Sequence, residues 1–220
     1  MIINIQKQGV RLLQMLMGIF FTLNVQAHPH SWVDLKTTIE GDENAITGFN
    51  MSWTFDAMTS FYMLDGKPLS DENREEVLKE VTEKVMDNLV LEHYFTYFYD
   101  GETPIPYLSS LEGKLTQDKT QLILDFFIPL GVPQNISNKP LKIQVYEKSY
   151  FVDISWREAS DIQLSPKLAK SCTVQLIEPN PTPQQVGYAM SLPADATPDQ
   201  ELGQLFTQSV ILQCTTPEEK

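Results

Sequence analysis

Runs of alternating apolar and polar residues dominate this chain, and that alternation is the signature of strands with one buried face. Ser31 to Glu40 reads as a strand, Gly41-Asp42-Glu43-Asn44 as turn chemistry, and Ala45 to Phe55 as a second strand, which together predict a hairpin. Within the second strand Phe49, Met51, Trp53 and Phe55 are out of phase with Ile46, so a slip or bulge is expected between them. His93, Phe95, Tyr97 and Tyr99 alternate with Tyr94, Thr96 and Phe98, which predicts an aromatic strand opened by His93. Further strands are expected at Leu108 to Leu115, Gln121 to Ile128, Leu141 to Tyr146, Tyr150 to Trp156, Cys172 to Ile177 and Ser209 to Cys214.

The period changes to that of a helix once clearly. Val77, Val81, Val85 and Leu89, flanked by Leu78 and Met86, make an apolar stripe from Ser70 to about Leu91. Ser70 stands where a cap belongs, with Glu72, Glu75 and Glu76 near the positive end of the helix. A short helix is expected from Ala57 to Leu64, stopped by Asp65-Gly66-Lys67-Pro68, and another near Asp199 to Phe206. Glu178 to Ala196 carries four prolines and reads as an irregular loop, and Thr215 to Lys220 as a frayed tail. The expected fold is mainly β (α+β): an antiparallel β-sandwich-like domain with one long amphipathic helix inserted.

The first 27 residues fit none of these patterns. Lys7 and Arg11 form a basic start, Leu12 to Leu23 an apolar stretch, and Val25-Gln26-Ala27 a small-residue cleavage site, as in a secretory leader. Residues 28–220 are then expected as a single exported domain with no membrane anchor after cleavage. The full chain of 220 residues carries a charge of −13, and losing two of its 16 bases makes the mature chain more acidic still. Such a chain repels nucleic acid and weakly concentrates cations. Cys172 and Cys214, the two cysteines, are most simply a disulfide in an oxidising compartment, since both flanks read as strands able to lie side by side.

Cleavage after Ala27 makes His28 the first mature residue, and this is where candidate chemistry concentrates. His28-Pro29-His30 would present an α-amine and two imidazoles, nitrogen donors of the kind that hold zinc or copper. Pro29 has no N–H to lose, which excludes the copper motif that uses deprotonated amides of the second and third residues. Two arrangements stay open: the His28 amine and ring gripping one metal as a histidine brace, or both imidazoles joined by ligands from elsewhere. His93, the third histidine, is either such a ligand or a strand-end residue. Asp34 lies on the face of His30, but four strand residues span about 13 Å. Asp56 is closer to hand, as a ligand or as the cap of the helix beginning at Ala57. The chain has no P-loop, dinucleotide fingerprint, nucleophile elbow or EF-hand loop, so an enzyme is not expected.

Ala27-His-Pro-His-Ser-Trp-Val-Asp34, Met51-Ser-Trp-Thr-Phe-Asp56, Phe95-Thr-Tyr-Phe98 and Val145-Tyr-Glu-Lys-Ser-Tyr-Phe-Val-Asp153 resemble a periplasmic family long described as a domain of unknown function. The resemblance runs in order from residue 27 to 214. It implies partnership with an inner-membrane permease of the nickel/cobalt type, and the ZevA-type members imply zinc. It implies metal-ligand roles for His28 and His30, raises Asp34 and Asp56, and is silent on His93. The expected function is therefore a periplasmic zinc-binding protein of metal homeostasis, with nickel, cobalt or copper as other passengers. A histidine-brace copper redox protein and a metal-free structural subunit of a transporter are the rivals.

Overall fold

A computed structural model describes residues 29–67, 69–192 and 201–215. The expected leader, His28 and nearly all of the expected tail lie outside the described residues. In chain order the strands are β1 (Ser31–Gly41), β2 (Ala45–Phe55), β3 (Thr96–Asp100), β4 (Thr103–Pro104), β5 (Gly113–Asp118), β6 (Gln121–Asn135), β7 (Leu141–Val145), β8 (Val152–Ser155), β9 (Ile162–Leu164), β10 (Cys172–Ile177) and β11 (Ser209–Cys214). The helices are α1 (Ala57–Met63), α2 (Arg74–Leu91), α3 (Pro183–Ser191) and α4 (Leu202–Phe206).

The β1–β2 hairpin sits inside the first sheet, whose order is β5-β6-β2-β1-β8, with β9 also on β1. Asp42 builds its turn by accepting from the N–H groups of Asn44 (2.8 Å) and Ala45 (3.0 Å). The β2–β6 register shifts between Ile46 and Gly48, which lets Ile46 and the run Phe49, Met51, Trp53, Phe55 all face inward. The second sheet has the order β10-β11-β7-β3-β4 and is antiparallel throughout. Phe49 of the first sheet meets Phe98 of the second edge-on at 5.1 Å, and Trp53 lies among Phe55, Phe95 and Phe126. Inner faces of two sheets sharing one apolar cluster make the expected sandwich-like α+β architecture. One edge departs from antiparallel pairing: β8 and β9 run parallel to β1.

Several boundaries differ from the sequence reading for identifiable reasons. Helix α2 opens at Arg74 rather than behind a Ser70 cap, because the Asn73 side chain turns back to accept the Ser70 N–H (2.7 Å). Its stripe buries Val81, Met86 and Leu89, with Met86 against Gly113 of β5. The strand expected at Leu108 to Leu115 starts instead at Gly113. The Tyr94 hydroxyl bonds both backbone groups of Ser110 (2.6 and 3.0 Å) and holds that stretch out of the ladder. The proline-rich stretch holds a helix, α3: Thr182 and Gln185 form a capping box, and Pro183 takes the first position, where its missing N–H costs nothing. His93 to Phe95 form a left-handed turn with φ of 51°, 56° and 50°, so the aromatic strand begins only at Thr96.

Candidate metal centre

The start of β1 fixes His30 from two sides. Its N–H donates to the Phe151 carbonyl (2.9 Å), extending the parallel ladder in which Ser31 faces Val152 and Trp32 faces Asp153. Its ring lies on that of Phe151, with centroids 4.7 Å apart. Ser31, Val33 and Leu35 are buried, so alternation turns His30, Trp32 and Asp34 to the outer face. On β8 Ile154 is buried, as is Trp156 just beyond it, so Phe151, Asp153 and Ser155 share that same outer face.

The segment before β8 is tightly held. The Glu147 carboxylate accepts from the Ser149 N–H (2.8 Å), the Ser149 hydroxyl (2.7 Å) and the Phe151 N–H (2.7 Å). Tyr150 adopts a left-handed φ of 59° and stacks on Phe206 of α4 at 4.4 Å. Gly203 of α4 donates its N–H to the Lys148 carbonyl (2.8 Å). The turn thus sets both the ring beneath His30 and the entry into β8. Asp153 follows as a carboxylate that burial pushes above the ordinary range, with hydroxyl hydrogen bonds from Ser155 and Tyr150 opposing the shift and Asp34 adding to it. Burial and the Asp153 charge in turn push the Tyr150 phenol up to about 12.

The other sequence candidates sit as follows. Asp34 is ion-paired with Arg157 (2.5 Å), farther along the outer face. Asp56 caps α1 through the N–H groups of Met58 (2.8 Å) and Thr59 (3.0 Å), and accepts from the Trp32 N–H (3.0 Å) and the Thr59 hydroxyl. Those four bonds fill the acceptor positions of a carboxylate, which is the capping role set out for it. Burial alone would raise the Asp56 pKa, but the hydrogen bonds outweigh it and hold the group below the ordinary range. A depressed folded pKa gives stability that is complete above the unfolded value of about 3.9 and is lost as acid takes the pH through the folded value. Asp56→Ala is expected to cost about 1 kcal/mol at pH 7 in urea unfolding, with the difference from wild type shrinking in acid.

His93 is exposed on its left-handed turn and borders a separate cavity of about 370 Å³ lined by Tyr94, Tyr97, Tyr99 and Tyr107. Among the described residues no three His, Cys, Asp or Glu side chains converge as a metal-holding group. His30 and Asp153 lie on adjacent strands and share one face, with Trp32 opposite Asp153 in the ladder, while His28 lies outside the described residues. Sequence reasoning passed over Asp153. Its signal was the alternation of Phe151, Asp153 and Ser155 against Val152, Ile154 and Trp156, which marks a carboxylate on one face of a strand.

Residues 13–214 match a protein family described as "Protein of unknown function (DUF1007)". The chain belongs to the DUF1007 family. A relative named "Uncharacterized protein" from Haemophilus influenzae (strain ATCC 51907 / DSM 11121 / KW20 / Rd) is 32% identical over 209 residues, which covers 91% of this chain and 97% of the relative. No solved structure matches the chain. In this DUF1007 chain Cys172 and Cys214 form the expected disulfide, and no described helix is long and apolar enough to cross a membrane.

Proposed function

We propose that this protein is a periplasmic zinc-binding protein that exchanges its ion with an inner-membrane permease of the nickel/cobalt type. The observation that carries the reading is the fixing of His30 at the mouth of β1, ring on Phe151 and backbone on the β8 segment, two residues after the expected mature terminus. An imidazole fixed at residue 30 is two residues along the chain from the ring and amine that His28 would add as donors. Zinc accepts such nitrogen donors together with a carboxylate. A site at a surface edge suits a carrier, which must release its ion as well as hold it. The disulfide supports an oxidising compartment. Exposed Trp32 at the start of β1, with Met58, Phe61 and Tyr62 on the adjacent α1, supports contact with a partner near the site.

The test is zinc, nickel and copper titration of protein cleaved after Ala27, beside a form with one extra residue before His28. Zinc binding at micromolar affinity or better, weakened at least tenfold by the extension, is the expected result. Equal zinc affinity in the His28→Ala, His30→Ala double variant ends the reading. Copper binding with peroxide-dependent oxidation points to a copper redox protein instead.

A further inference from the structure

We propose that the tyrosine-walled cavity between β3 and residues 104–109 binds a small uncharged aromatic molecule carrying a carbonyl oxygen. This goes beyond the zinc reading above: the cavity shares no residue with the start of β1 and lies wholly within the described residues.

The argument begins with how the walls are fixed. The segment after β4 forms one wall and is tied to both sheets. Ile105 donates its N–H to the Phe98 carbonyl of β3 (2.8 Å), Leu108 donates to the Pro129 carbonyl of β6 (2.8 Å), and the Pro106 carbonyl accepts from Gly131 (2.8 Å). Tyr107 lies between these bonds, bridged to Leu130, with its ring edge-on to Phe49 and Tyr94. β3 and the left-handed turn before it form the other wall, where Tyr97 lies with its ring on Tyr146 at 4.5 Å. Three successive non-glycine residues in that conformation are costly, and such backbone is found where contacts over-determine it, often at ligand clamps. The enclosed volume of about 370 Å³ is that of a small-molecule site, and the exposed residues His93, Pro106 and Leu108 among its walls open it to solvent.

The chemistry of the walls selects the ligand. The hydroxyl oxygens of Tyr97 and Tyr107 are both buried and have no hydrogen-bond partner among the described residues. Buried polar groups are seldom left unmet, and two in the walls of one cavity call for an acceptor brought in from outside. Tyr94, by contrast, spends its hydroxyl on the backbone of Ser110. Burial above all, with neighbouring phenols and, for Tyr97, nearby carboxylates adding to it, pushes both free phenols far above the ordinary range. Each therefore stays protonated and able to donate. Among the described residues that line the cavity none is Asp, Glu, Lys or Arg, so a charged ligand would leave water for walls that offer it no counter-charge. Rings and prolines make up most of the lining, and flat aromatic ligands pack on such walls edge-on or offset. A ring bearing a carbonyl oxygen meets both requirements.

The test is titration of protein cleaved after Ala27 with acetophenone and with cumene, which has the same outline but a methyl group in place of the carbonyl oxygen. Amide NMR shifts locate each ligand. Acetophenone is expected to saturate with a dissociation constant of about 1 mM or tighter and to shift residues 93–109. Cumene is expected to bind about tenfold more weakly, the worth of one or two net hydrogen bonds. Tyr97→Phe combined with Tyr107→Phe keeps the walls and removes both donors. That protein is expected to lose the tenfold preference and, without ligand, to melt at or above the wild-type temperature, because no unmet hydroxyl remains. If the double variant does not fold, Tyr107→Phe takes its place, with the preference cut about threefold. No saturable acetophenone binding, as in a cavity that holds water alone, overturns the assignment. So do shifts centred outside residues 93–109, equal affinity for ketone and hydrocarbon, or a preference that survives loss of the hydroxyls. Zinc titration of the His28→Ala, His30→Ala variant reads the other site, so the two readings fail separately.

Discussion

Replacing both Cys172 and Cys214 by serine is expected to destabilise the protein by about 4 kcal/mol and to lower its melting temperature by roughly 10 °C. The two cysteines face each other in the β10–β11 register and are buried, with a sequence separation of 42. The chain leaves β10 at Ile177 and returns into β11 at Ser209, so the bond closes the opposite end of the pair from the connecting segment. Much of what it encloses carries little core: residues 178–182 are mostly exposed, and α3 buries Ala189 alone. Such a loop has many conformations in the unfolded chain, and the cross-link removes them. β10 is also an edge strand, held on one side by β11. Urea unfolding of wild type with and without reductant, beside the double variant, measures the effect. The reduced wild type should match the variant, and both should show a steeper denaturant dependence because their unfolded states expose more surface.

How much of this was legible in the sequence follows from how local each cause is. β2, β10 and β11 begin and end where alternation and turn residues said, since their burial patterns are written in their own residues. The disulfide was legible for the same reason, both flanks being readable as strands. Prolines between 179 and 193 suggested a loop because composition outweighed position; Pro183 stands at the one helical site that tolerates it. The left-handed turn at His93 to Phe95 was not legible, because it depends on Tyr94 reaching Ser110 and Phe95 reaching Trp53. The pairing of β1 with β8 is farther still from local rules. Contacts such as the Trp156 indole donating to Thr37 (3.0 Å) join segments 119 residues apart. His30 could be singled out from its position behind the leader. Its neighbour Asp153 could not, because only the fold brings the two strands together.

Gly203→Ala is expected to cost about 3 kcal/mol and to weaken zinc binding at a distance from the ion. Gly203 is buried in α4, and a Cβ there would lie 1.9 Å from the Glu147 carbonyl oxygen and 3.1 Å from that of Lys148. These are backbone atoms, so no rotamer relieves the overlap and either α4 or the turn must move. Movement of α4 breaks the Gly203 N–H bond to Lys148 and drags Phe206 from Tyr150. Movement of the turn displaces Phe151, the platform under His30, and the start of β8 that carries Asp153. Gly187 in α3 is the matched control: a Cβ there meets nothing within 4 Å. Its exposed helical position makes Gly187→Ala a gain of about 1 kcal/mol, since alanine loses less backbone freedom on folding. The measurement is chemical unfolding of both variants, followed by zinc titration under conditions where each is folded. A Gly203→Ala protein as stable as wild type would show that α4 does not press on the turn. Loss of zinc affinity in the folded Gly203→Ala protein, with none in Gly187→Ala, would place the origin of the site's geometry in the contact between α4 and residues 147–151.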